Sequence, residues 1–151
     1  MLRQKILPLL IILILSSCGY ESIYINKKDS SLFKKIILSG DKKINKKIVS
    51  LSKLKINKEI DNNYAIIINS KKERLTIAKD GAGNSSVYKL IISIDIKIEK
   101  DDKTFKEKLF TKSFVYSNLE TAFDLLQYQK EVEKNLLVKL SDQINIFLTL
   151  Q

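Results

Sequence analysis

The chain has 151 residues, enough for one domain with a single modest core. Its 27 basic and 17 acidic residues give a formal charge of +10, nearly all from lysine, since Arg3 and Arg74 are the only arginines. Histidine is absent and cysteine occurs once, which excludes a Ser-His-Asp triad, a Cys-His pair, a histidine-bearing metal site and an intrachain disulfide. A solvated lysine surface accounts for most of the charge. The remainder allows attraction to something anionic, whether nucleic acid, a phospholipid headgroup or a phosphorylated glycolipid.

Residues 1–5 carry two positive charges, Arg3 and Lys5, and no acidic residue. Ile6 to Leu15 is apolar throughout except for Pro8, the only proline. A membrane-crossing helix needs about 20 such residues, so this block is too short to span and reads as the core of an export signal. The residues that follow, Leu15-Ser16-Ser17-Cys18, resemble the bacterial lipobox, in which the cysteine thiol takes a diacylglyceryl group. Cleavage before Cys18 would discard residues 1–17 as a lipoprotein signal peptide and leave residues 18–31 as a lipidated N-terminus and linker. The acyl chains would add membrane affinity at about 0.8 kcal/mol per buried CH₂. Gly19 stands where an aspartate would often signal inner-membrane retention, so the outer membrane is the expected destination. Loss of Arg3 and Lys5 lowers the net charge from +10 to +8, still distinctly basic.

Residues 32–151 are expected to form a single α+β domain. Leu32 to Gly40 has β-branched residues and a terminal glycine and reads as a first strand. In 41–56, Ile44, Ile48, Leu51 and Leu54 recur at helical intervals behind Asp41, a plausible N-cap. Asn62-Asn63 marks a turn. A second, long strand follows over Tyr64–Asp80, with a bend expected near Lys71-Lys72. Gly81 to Ser86 reads as a hairpin connection, because the phosphate-loop spacing GxxxxGK[ST] is absent. Tyr88, Leu90, Ile92, Ile94, Ile96 and Ile98 alternate with Lys89, Ile91, Ser93, Asp95 and Lys97, the pattern of a half-buried antiparallel strand. A turn over Glu99–Lys103 leads to a fourth strand bearing Phe110, Phe114 and Tyr116 at even spacing. Ser117 and Glu120 have the spacing of a capping box. They precede a long helix with Leu119, Phe123, Leu126, Leu136, Leu137, Leu140, Ile144 and Leu148 along it. Some 30 helical residues would span about 45 Å, so either the first turns should diverge from the rest or the last should overhang. Three consecutive strands between helices favour a two-layer sandwich, a mostly antiparallel four-stranded sheet with two helices packed on one face.

The anchor "LSSCGYESIY", "LTIAKD" with a short turn and "VYKLIISIDIKI", and "FVYSNLETAFDLLQYQKEVEKNLLVKLSDQI" together resemble the lipopolysaccharide-assembly lipoprotein family LptE. Order and lengths agree across essentially all of the chain after Cys18. The resemblance implies a non-enzymatic outer-membrane lipoprotein, periplasm-facing and lipid-anchored. Its partners would be an LptD-like β-barrel, which it plugs and helps to assemble, and lipopolysaccharide on its way to the outer leaflet. No cofactor, metal or catalytic residue is implied, and export leaves no role for nucleic acid.

Family members carry a basic side chain between strands two and three and another near the start of the last helix. Neither Gly81–Ser86 nor Thr121–Gln129 holds one here, so no lipopolysaccharide contact transfers by position. Cys18 and Gly19 do transfer. Lys79, just before the turn, and Lys89, just after it, are the candidate lipopolysaccharide-binding residues on the mature chain. The alternative reading is another envelope lipoprotein with a structural or adhesion role and no part in transport.

Overall fold

The computed structural model describes residues 32–59 and 63–149. The signal segment, Cys18, Gly19 and the linker lie outside them, as do residues 150–151. The expected first strand is two elements: β1 (Leu32–Phe33) and β2 (Lys35–Gly40). Phe33 turns its ring into the core and Lys34 donates its backbone N–H to Tyr64 at 2.9 Å, so the chain kinks between them. Helix α1 (Lys42–Leu51) follows, then the short strand β3 (Lys55–Ile56), which pairs in parallel with β1.

Asp41 caps α1 as its residue type suggests, its carboxylate accepting from the backbone N–H groups of Lys43 at 2.9 Å and Ile44 at 3.1 Å. The helix stops before Leu54, short of the expected reach. Lys53 takes a left-handed conformation (φ 50°), its N–H bonds to Ser50 and that of Leu54 to Val49, which closes a Schellman turn. Leu54 therefore reaches the core from the cap rather than from the helix, while Leu51 stays exposed.

Three long strands build the sheet: β4 (Tyr64–Lys79), β5 (Ser85–Lys100) and β6 (Lys103–Ser117). The order is β2-β4-β5-β6, with β2 parallel to β4 and the other pairs antiparallel. The β4–β5 register runs unbroken through Lys71-Lys72. The ladder slips instead between Thr76 and Lys79, next to the hairpin. That hairpin closes on Asp80, whose carboxylate accepts from the backbone N–H groups of Ala82 at 2.9 Å and Asn84 at 2.8 Å. The β5–β6 turn is tighter than expected, with Asp101 and Asp102 both at positive φ, as a two-residue hairpin whose twist matches the strands requires.

Helix α2 (Ala122–Thr149) is unbroken, about 42 Å at 1.5 Å per residue. Its cap is Thr121, not Ser117. The Thr121 hydroxyl accepts from Asp124 N–H at 3.0 Å and donates to the Asp124 carboxylate at 2.7 Å. The capping-box pattern was present, four residues further along.

Both helices lie on one face of the sheet, giving the two-layer α+β sandwich. Leu90, Ile92, Ile94, Ile96 and Ile98 of β5 pack beneath Ile44 and Ile48 of α1 and the α2 stripe Val132, Leu136, Leu137, Leu140, Ile144, Phe147 and Leu148. Each such residue contributes about 1.5–3 kcal/mol on full burial. Of the two outcomes expected for so long a helix, overhang of the C-terminal turns is not the one found, since they are well covered. Its first turns are the uncovered ones: Phe123 is 68% exposed and Leu126 is also open.

Candidate functional site

The helix-facing phase of β4 is Ile66 and Ile68 at one end, then becomes Lys72 and Arg74 where β2 no longer pairs with it. Charge in the core phase of a strand is costly unless the strand there leaves the core. Here a groove of about 580 Å³ opens between α1, α2 and the sheet, lined by Lys43, Lys47, Lys72, Arg74 and Lys130. Leu90, Tyr116 and Leu126 supply apolar surface, and Gln129 and Glu133 complete the lining.

Glu133 is the one acidic side chain of that lining, and it is engaged. Lys47 donates to one carboxylate oxygen at 2.6 Å and Lys72 to the other at 2.9 Å, which ties α1, α2 and β4 together. Burial alone would raise the Glu133 pKa, but the two lysine hydrogen bonds outweigh it and hold the carboxyl below its usual range. Arg74 lies over the Tyr88 ring, 5.2 Å from its centroid, and reaches toward the Gln129 side-chain oxygen at 3.5 Å. Lys43 and Lys130 have no ion-pair partner among the described residues.

Tyr116 sits at the base, packed against Tyr88 and Tyr128 with ring centroids 5.6 and 5.9 Å away. It is 4% exposed, with its hydroxyl shielded from solvent. Burial pushes its pKa up against the opposing effects of the Arg74 charge and of hydrogen bonding to Arg74 and Gln129, so it keeps its proton at neutral pH.

Lys79 and Lys89 are elsewhere and are not brought together. Lys79 pairs with Ser85 beside the hairpin, whereas Lys89 pairs with Leu75 four residues along β5, about 13 Å further at 3.3 Å per residue. Lys79 is exposed, and Lys89 is half-buried on the sheet face away from the helices, between Leu75 and Val115. Around this hairpin end the protein exposes Leu75, Ile77, Phe114, Val115, Leu119 and Phe123. The first described residue, Leu32, is at the opposite end, where β2 enters beside Ala65 and the β5–β6 turn closes. Strand β5 alone separates the two ends by about 50 Å. Among the described residues no cluster of three or more acidic or cysteine side chains could hold a metal, and no helix is long and apolar enough to cross a membrane.

Neither a protein-family model nor a curated protein matches the sequence. Solved structures do match in shape. Rare lipoprotein B from Shewanella oneidensis superposes with a TM-score of 0.58 at 17% identity, over 76% of this chain and 93% of that one. A minor lipoprotein from Acinetobacter baumannii gives 0.56 at 14% identity, over 77% and 90%. Lipoprotein B from Nitrosomonas europaea gives 0.53 at 13% identity, over 80% and 84%. The chain shares the fold of these lipoproteins.

Proposed function

We propose that the protein is a non-enzymatic envelope lipoprotein of LptE type, anchored through Cys18 at the periplasmic side of the outer membrane. There it partners an LptD-like β-barrel in lipopolysaccharide transport. The observation that carries this reading is the apolar hairpin end, open on both faces of the sheet and about 50 Å from the end that leads to the anchor. A patch of this kind is what a partner surface requires. The fold shared with rare lipoprotein B and the lipobox-like segment at Cys18 support the same reading. Lys79 and Lys89 lie toward that end, where their ammonium groups would pair with lipopolysaccharide phosphates.

Co-purification tests the proposal. Tagged protein from gently solubilised outer membranes should bring down a large β-barrel protein in stoichiometric amount. Recovery of the lipoprotein without any barrel would overturn the transport reading in favour of a structural envelope role.

A further inference from the structure

Beyond Ser70 the margin of β4 carries backbone groups that meet no partner among the described residues. Ser70 points its carbonyl toward β2, where it accepts from the Asp41 N–H at 2.9 Å. Backbone direction alternates along a strand, so Lys72, Arg74 and Thr76 aim their N–H and C=O groups the same way, past the end of the β2 ladder. Their neighbours Lys71, Glu73 and Leu75 turn theirs to β5, opposite Ser93, Ile91 and Lys89. We propose that the Lys71–Thr76 margin takes an extended acidic segment of another protein as an added strand. This goes beyond the envelope reading, because it names the chemistry of a recognised segment and stands with or without a barrel partner.

Length, charge and the rest of the sequence together select this occupant. From Lys71 to the slip after Thr76 the margin runs about 20 Å, as long as β2 itself, enough for a strand held by main-chain hydrogen bonds. Residues 71–79 hold four basic side chains against Glu73, which Lys71 already engages at 2.7 Å. An added strand would lay one set of its alternate side chains over the groove, beside Lys72 and Arg74 and facing Lys43 and Lys130. Acidic residues in that set are attracted there and basic ones repelled. The chain itself offers no such strand. Its only two adjacent acidic residues, Asp101 and Asp102, form the β5–β6 turn. Two copies of the β4 margin would set lysine and arginine against their own kind, so the segment comes from a different protein.

The test titrates the full chain, as isolated from membranes in detergent, with three labelled synthetic peptides, followed by fluorescence anisotropy. One alternates glutamate with threonine. The second has lysine in place of glutamate. The third is the glutamate peptide with its backbone nitrogens methylated, which keeps the charge and removes the main-chain donors. The glutamate peptide should bind saturably, the methylated one at least tenfold more weakly, and the lysine peptide not at all. At saturation, amide hydrogen exchange at Lys72, Arg74 and Thr76 should slow at least tenfold, while that at Lys71, Glu73 and Leu75, already turned to β5, changes little.

Lys43→Gln combined with Lys130→Gln should weaken the glutamate peptide severalfold. Lys103→Gln with Lys139→Gln, which removes the same charge from exposed positions outside the groove, should change it less than about twofold. Absence of saturable binding by the glutamate peptide would overturn the proposal. So would equal binding of the methylated peptide, which would reduce the contact to charge alone, or equal losses in the two lysine pairs. Slowed exchange along β2 or β6, the outer strands of the sheet, in place of Lys72, Arg74 and Thr76 would overturn it too. None of these readouts depends on recovery of a barrel, so failure here and failure of the transport reading are told apart.

Discussion

Glu133 of α2 and Lys72 of β4 meet at 2.9 Å, and the other oxygen of the same carboxylate holds Lys47 of α1 at 2.6 Å. One side chain thus fastens both helices to the sheet at the margin of the groove. The folded-state pKa of Glu133 lies below its unfolded value, so its contribution to stability is fully present above about pH 4.5 and is lost as pH falls through the folded pKa. Glu133→Gln should cost about 1 kcal/mol at pH 7, the upper end for exposed pairs, and should flatten the fall in melting temperature below pH 4.5. Thermal unfolding from pH 7 to pH 3 checks this. Parallel profiles for the two proteins would show that the carboxylate does not act as described.

Gly40→Ala tests the junction between β2 and α1. A Cβ there would stand 2.0 Å from the Ser70 carbonyl oxygen, on a residue whose φ is +81°. The expected loss is about 2–3 kcal/mol in denaturant unfolding. Gly81→Ala meets nothing within 4 Å and should be neutral or slightly stabilising.

The cap of α2 can be located by substitution. Thr121→Ala should cost about 1 kcal/mol, and Ser117→Ala clearly less. Equal effects would mean that the hydroxyl of Thr121 has no special role in starting the helix.

Much of the layer arrangement was legible because it rests on local patterns. The alternation in β5 names its buried face residue by residue, and Asp41 is a cap by chemistry alone. The groove was not legible in the same way, since its lining comes from α1, β4, β5, β6 and α2, segments far apart in sequence. One clue was present: Lys72 and Arg74 continue the phase of Ile66 and Ile68, which marks the point where the sheet leaves the core. The end of α1 was misplaced because a lysine, not a glycine, takes the left-handed position at Lys53. Lys79 and Lys89 were chosen for closeness to the turn, and the ladder sets them apart.

At the hairpin end, Phe123→Ser should leave stability within about 0.5 kcal/mol, because the side chain is exposed. The same variant should lower recovery of the barrel partner severalfold in co-purification. Undiminished recovery would remove these turns of α2 from the proposed contact.

The anchor has its own check. Cys18→Ala should abolish incorporation of labelled palmitate and leave uncleaved precursor. Persistent labelling would refute lipidation at that residue.

The ladder between β2 and β4 ends at Gly40 and Ser70, so among the described residues β4 has no neighbour on that side from Lys71 to Lys79. An unpaired strand edge invites another strand to add to it, and charged side chains are a common deterrent. Lys71, Lys72, Glu73, Arg74 and Lys79 populate this margin. Lys72 and Arg74 therefore serve twice, in the groove and as guards against zippering between molecules. Neutralising both should produce concentration-dependent aggregation, on top of the stability lost with the Lys72–Glu133 ion pair.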